Sequence, residues 1–443
     1  MKNKIINRLF PELFNDKKDA IVFLVGCFST FYIDFVGRVY VGELIIFLLY
    51  LFYPKTRKEM PRGVKKLWLL IFLWLVSAIV TDFYRDTPLI DTIKGFVSEL
   101  FLMALVPFAC WALRDKISRI FVFYLGSVVS TQLTYYLIFS QTEFGSTEIW
   151  ETYSYLAVLK GLAIYIYWRG NHRLSYLLFL IIGFFALSGG SRNAFLICLV
   201  SVIILYNIDV TMAKNKHENQ GDIHSFIIGS YQKKLVRLVF ALLIGLFVIS
   251  NAYEYMASNG FLGEEAYVKY TNQKDSDLGL SIGRMGTIMD IDLIMDSPII
   301  GYGSYAKDYT GYVENFYLKH NVPYQSDRFD IDVDSVENML PRHSRMFGMW
   351  MWHGIGAGIF WIYIFLLFFK TIKNGCVLLE PKLLGYSIYT LFAESWANLF
   401  SVMAERLPPI FFWVFLILIN EQYKQLYGNK KGKPLPVNSN SQL

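Results

Sequence analysis

Four basic side chains sit where a largely apolar chain would have little reason to keep them. Arg192 lies in Ser188-Gly-Gly-Ser-Arg-Asn193 and Arg284 in Ser281-Ile-Gly-Arg-Met-Gly286. His343 lies in Pro341-Arg-His-Ser-Arg345 and Arg406 in Glu405-Arg-Leu-Pro-Pro409. A guanidinium offers a planar fork that binds two phosphate oxygens at once. An imidazole removes a proton near neutral pH. If the four converge, they make an anion site with an adjacent base. Each also has a plainer reading. An arginine at a membrane edge reaches lipid phosphate or water by snorkelling, and a lone histidine is often a surface residue. Arg406 has Glu405 and Glu394 as candidate partners, and Arg342 and Arg345 read equally well as interface anchors. Lys160 lies within an apolar run, where an ionisable residue is functional by default unless it pairs with a carboxylate or lies near one end. His353 reads as a buried, hydrogen-bonded side chain. The chain shows no HExxH pattern, nucleotide-binding glycine loop or internal repeat, and no cofactor is expected.

The elements that must position these residues are membrane spans. Of the 443 residues, 54% are hydrophobic and 18% charged, against roughly 25% charged in a soluble domain. The apolar residues come in successive runs long enough to cross a bilayer, which needs about 20 residues. That excludes a soluble enzyme and a disordered chain. The runs are too long and uniform for barrel strands, so the expected fold is an all-α polytopic membrane protein. Twelve spans are expected, at 20–35, 37–53, 67–83, 96–113, 120–140, 152–168, 174–190, 193–208, 235–253, 344–369, 383–401 and 408–423. The chain then divides into 1–253 (spans one to nine), a large loop at 254–342, 343–423 (spans ten to twelve) and a tail at 424–443 that reads as disordered. The first run lacks a small-residue cleavage site and reads as a span, not a signal peptide.

Lys and Arg distribution sets the orientation. With a cytoplasmic N-terminus, the inside connections hold 28 of the 42 Lys and Arg, and the outside ones hold 13. Both termini are then cytoplasmic. Arg192, Arg284, His343 and Arg406 share the outside face. The outside loop 254–342 is acidic, with 15 Asp and Glu against 7 Lys and Arg. A connection of that length is usually functional. Within it, 281–296 has helical spacing with Ser281 as N-cap, and Ser297-Pro-Ile-Ile-Gly-Tyr-Gly303 reads as a stop and turn. Arginine in a helix's first turn opposes the helix dipole, so Arg284 is not there for propensity. Cys27, Cys110 and Cys198 lie in spans and Cys376 in an inside connection, which leaves no outside disulfide framework.

Three segments together resemble the O-antigen ligase and polymerase superfamily. Ser188-Gly-Gly-Ser-Arg-Asn-Ala194 resembles its small-residue arginine segment at a span junction. Arg284 followed by Ser297-Pro-Ile-Ile-Gly-Tyr-Gly303 resembles its arginine and Pro-x-x-Gly-x-Gly pattern in the large periplasmic loop. His343-Ser-Arg-Met-Phe-Gly-Met-Trp-Met-Trp-His-Gly-Ile-Gly356 resembles its histidine, apolar helix and Gly-x-x-Gly segment. The resemblance covers about residues 170–421. Ser344 and His353 depart from the Asn and Glu that ligases often carry there. The resemblance implies a membrane glycosyltransferase fold in the bacterial inner membrane, acting on the periplasmic face without a metal or nucleotide sugar. The implied donor is an undecaprenyl-diphosphate-linked glycan. The implied acceptor is another carrier-linked repeat unit for a polymerase, or lipid A core for a ligase. A chain-length regulator is a possible partner, membrane lipid surrounds the chain, and nucleic acid is not implied. Arg192 and Arg284 would bind the donor diphosphate, His343 would be the general base, and Arg406 would support the site. Polymerase is the leading reading, ligase the second, and a transporter of lipid-linked glycan the third.

Overall fold

The computed structural model describes residues 16–34, 38–53, 60–137, 147–188, 191–218, 254–261, 263, 264, 267, 270, 271, 285–320, 339, 340, 342–401 and 406–427. The fold is all-α apart from one small hairpin among these residues. Expected span nine and the C-terminal tail lie outside them, as does Arg284.

Five described helices are long and apolar enough to cross a membrane. The first half of the chain runs α1 (Lys17–Cys27), β1 (Tyr32–Asp34), β2 (Arg38–Tyr40), α2 (Val41–Phe52), α3 (Arg62–Tyr84) and α4 (Leu89–Leu113). Next come α5 (Arg119–Leu137), α6 (Thr147–Trp168), α7 (His172–Ser188) and α8 (Arg192–Glu218). Short helices α9 (Met285–Asp296) and α10 (Tyr312–Lys319) occupy the large loop. The chain closes with α11 (Arg345–His353), α12 (Ile355–Asn374), α13 (Leu384–Phe400) and α14 (Leu407–Tyr427).

Expected spans one, two and ten take a different form in the structure. The first pair was expected to meet at residues 34–38, but α1 ends at Cys27 and α2 starts at Val41, with an antiparallel hairpin between them. The hairpin pairs Tyr32 with Tyr40 and Asp34 with Arg38, and beside it the first N–H groups of α2 donate to Phe31 O (2.8 Å) and Phe28 O (2.9 Å). At 11 and 12 residues, α1 and α2 are each roughly 16–18 Å long. Expected span ten (344–369) is broken into α11 and α12 at Gly354, whose φ of +72° no ordinary helical residue adopts.

Small residues allow close helix crossings. A Cβ on Gly26 would lie 2.5 Å from the Phe123 carbonyl oxygen, and one on Gly126 would lie 2.4 Å from that of Phe23. Thus α1 and α5 touch backbone to backbone, as membrane helices do where packing replaces the hydrophobic drive. Thr30 adds hydrogen bonds to Ser130 (2.8 Å) and Thr134 (3.0 Å) across the same pair. Helix α14 is the centre of the bundle: residues 409–419 are all buried. One end of the bundle gathers Asp16, Asp19, Lys116 and Arg119 in an ion network around the buried Arg119–Asp19 pair, with Glu421 accepting from Gly63 N–H and His172 bonded to Asp209. The other end gathers Arg406–Glu43, Arg345–Glu394 and Arg85 with the large loop.

Candidate functional site

The turn after α9 and the break after α11 form one joint. Tyr302 N–H donates to Met351 O (2.8 Å), Gly303 N–H to Trp352 O (2.9 Å), and Ile355 N–H to Ile299 O (2.9 Å). The unsatisfied carbonyls at the C-terminal end of α11 thereby find donors. The glycines are required by contact. A Cβ on Gly301 would lie 2.3 Å from Trp352 O, and one on Gly354 would lie 2.2 Å from Ile299 O. Arg85, at the end of α3, holds the turn from the other side by donating to Gly301 O (2.8 Å) and Ser297 Oγ (2.8 Å).

A buried polar chain runs beneath the joint. Ser304 donates its N–H to Asp82 Oδ1 (2.6 Å) and its hydroxyl to Asp82 Oδ2 (2.8 Å). Trp74 Nε1–H donates to His353 Nδ1 (2.8 Å), so a neutral His353 carries its proton on Nε2, 3.1 Å from Ser304 Oγ. The serine therefore accepts from the imidazole and gives its own proton to the carboxylate. That direction is the reverse of a serine nucleophile activated by histidine. Gly95 admits the pair, since a Cβ there would lie 2.2 Å from Ser304 Oγ. His353 thus has the buried, hydrogen-bonded role expected of it. Glu99 lies 3.9 Å from His353 Nδ1, and neither of its carboxylate oxygens has a hydrogen-bond partner among the described residues.

His343 precedes α11 and rests on the first turn of α9. A Cβ on Gly286 would fall 1.8 Å from His343 Cγ and Cδ2, so only glycine lets the imidazole lie there. Its backbone N–H donates to Asp290 Oδ2 (3.3 Å). Burial holds the imidazole below its ordinary pKa, so it is neutral at pH 7. Burial also lifts Asp290 to about 7, partly offset by the His343 N–H and Arg342. Ser344 caps α11 by accepting from Phe347 N–H (3.1 Å) and donates to Asn398 O (2.9 Å). Arg345 pairs with Glu394 (2.9 Å).

Arg406 grips Glu43 through Nε (2.7 Å) and Nη2 (2.6 Å) and gives Nη1 to Ser98 (2.9 Å). Its partner is Glu43, not the Glu405 or Glu394 considered from sequence, and its fork is spent on that pair. Arg192 is the first residue of α8. Arg284 falls just before the described start of α9. Lys160 lies inside α6, with its ammonium 6.0 Å from the Tyr389 ring centroid.

Beside the joint lies a cavity of about 640 Å³, lined by Asp292, Asp296, Tyr302, Asp308, Tyr309 and Tyr312 among others. Tyr302 donates to Asp296 and Tyr312 to Asp292 (2.7 Å). Burial and these carboxylates raise both phenols above their ordinary value, so both keep their protons.

Sequence reasoning weighed basic residues and passed over Glu43, Asp82 and Glu99. The signal was available, because each is a carboxylate within or at the end of an apolar run. Asp290 and Ser304 gave none, since nothing local distinguishes them from other loop residues. No protein-family model and no curated protein matches the chain.

Proposed function

We propose that the chain is a metal-independent glycosyltransferase of the inner membrane that lengthens a surface polysaccharide. It moves a glycan from an undecaprenyl-diphosphate carrier to a sugar hydroxyl of another carrier-linked repeat unit, on the periplasmic face. The observation that carries this reading is the joint described above. Two segments about 50 positions apart in sequence, each part of the superfamily resemblance, are bound backbone to backbone at the C-terminal ends of α9 and α11, with His343 seated at the opposite ends of the same two helices.

The chemistry follows. A sugar hydroxyl becomes a nucleophile as its proton leaves, and His343, neutral and set on α9, is the base. The acceptor oxygen bonds the donor sugar's anomeric carbon as the bond from that carbon to the carrier diphosphate breaks, and the diphosphate leaves with the electron pair. Arg192 and Arg284 are the expected cations for that charge. The cavity supplies what an acceptor needs: carboxylates accept from sugar hydroxyls and tyrosine rings cover sugar faces.

The test is purified protein in detergent, given a lipid-linked repeat unit and no ion gradient. A ladder of longer carrier-linked chains supports the reading. Transfer only when lipid A core is added means a ligase. Movement of lipid-linked glycan across vesicles without lengthening means a transporter and removes the enzyme reading.

A further inference from the structure

Arg342 is a cation with no anion paired to it among the described residues. Its guanidinium carbon sits 4.8 Å from the Trp352 ring centroid, and Nη1 faces the Met349 sulfur at 3.4 Å. Among the described residues no carboxylate lies within the 4.0 Å of an ion pair, unlike Arg345 and Arg406 close by. Asp290, Glu99 and Tyr305 act on it only through space. Its arm is held fast: a Cβ on Gly348 would lie 2.0 Å from Arg342 Cγ and 2.9 Å from Cδ. The side chain is therefore pressed onto the backbone of α11, at a position where only glycine gives it room.

A second donor without an acceptor lies beside it. The indole that carries Arg342 on its face is 7% exposed, and its Nε1–H is buried with no hydrogen-bond partner. Leaving a buried donor unsatisfied costs more than any one hydrogen bond gains. The guanidinium, whose acceptor among the described residues is the weak Met349 thioether, and the indole N–H of the ring it covers, which has none there, are both fixed, and such donors match an oxygen-rich anion. A phosphate suits the guanidinium fork best.

We propose that Arg342, with Trp352, forms a binding site for the diphosphate of a lipid diphosphate ester. This rests on the donor chemistry proposed above and adds residues not assigned to it. Gly348 is the positioning residue, because it sets where the guanidinium stands.

The experiment measures binding of inorganic pyrophosphate, farnesyl diphosphate and phosphatidylglycerol micelles to the full chain in detergent. The variants are Arg342→Gln, Arg342→Lys, Gly348→Ala and Trp352→Phe, with Arg169→Gln at the far end of the bundle as control. Farnesyl diphosphate affinity should fall at least tenfold in Arg342→Gln and Gly348→Ala, less in Arg342→Lys and Trp352→Phe, and not in the control. Should Arg342→Gln fail to fold, Arg342→Lys, which keeps the ring contact and loses the fork, still decides. Parent-like affinity in both Arg342 variants overturns the proposal. So does Arg342-dependent binding of phosphatidylglycerol alone, which makes the site one for bilayer headgroups. Arg342-dependent diphosphate binding by a chain that lengthens no glycan keeps this site and removes the polymerase. Normal lengthening by Arg342→Gln with unchanged farnesyl diphosphate affinity does the opposite.

Discussion

His343 and Asp290 are two touching titratable groups of the candidate site that burial shifts in the directions that favour their neutral forms. Burial keeps the imidazole neutral, so a His343 base is lost only on acidification past a pKa below 6.5. The acid limb of kcat/KM should therefore lie below pH 6.5 and vanish in His343→Gln, with turnover down about 10²–10⁴-fold. Turnover near the parent rate in that variant would leave His343 only an orienting role. Gly286→Ala tests the same seat from below. Its methyl group would occupy the imidazole's position, so turnover should drop while prenyl diphosphate binding persists. Asp290 titrates in the opposite sense. Its folded pKa of about 7 exceeds the ordinary 3.8, so the native state binds the extra proton. Stability from this source is full below about pH 4 and is lost as pH rises through 7. Melting temperatures at pH 5 and 8 should differ more in the parent than in Asp290→Asn. Equal differences would mean that Asp290 does not control the slope.

At the scale of elements, the joint between the loop turn and α11–α12 is what holds the site. Gly354→Ala places a methyl group against Ile299 O at a left-handed backbone position. Strain and overlap together should cost about 3 kcal/mol, read as a lower melting temperature and less monodisperse protein. A melting temperature within 1 °C or so of the parent would mean that the joint bears little load. Much of this was legible in advance. The helix near 281–296, the stop at Ser297 and the turn to Gly303 follow from apolar spacing and Pro–Gly chemistry, and all are local. What those glycines touch was not legible, since their partners lie about 50 residues away on α11. The break at Gly354 was hidden for another reason. Apolar residues continue across it, and hydropathy does not register a single positive φ. The β-hairpin at Tyr32–Tyr40 was missed because nine residues with an aromatic bias read equally as helix ends. Glu43 and Glu99 escaped because attention to phosphate chemistry selected cations alone.

Across the whole molecule, polar contacts sort into two ends, and each end joins connections that the Lys and Arg bias had put on one side. Arg119 with Asp16 and Asp19, and Glu421 with Gly63, belong to one; Arg406 with Glu43, and Arg85 with Gly301, belong to the other. Cysteines introduced at Tyr309 and at Arg169, both exposed, should react with an impermeant thiol reagent from the periplasm and only after lysis, respectively. The reverse pattern would invert the orientation. The four native cysteines are buried and should stay silent. Arg406→Gln tests the Glu43 clamp. An unpaired carboxylate at a 0% exposed position should cost about 3–5 kcal/mol. The double variant Glu43→Leu, Arg406→Met should regain most of it, and failure to do so would assign Arg406 a role beyond pairing. The clamp has a consequence for biosynthesis. Glu43 leaves the ribosome more than 360 residues before Arg406 does, and the helix that follows Arg406 is buried from 409 to 419. Helix α2 must therefore wait in the bilayer with its acid uncompensated until the segment carrying Arg406 is inserted. A nascent chain stalled before residue 406 is a recognisable orphan, open to membrane proteases, and translation from residue 406 onward decides whether what precedes it survives.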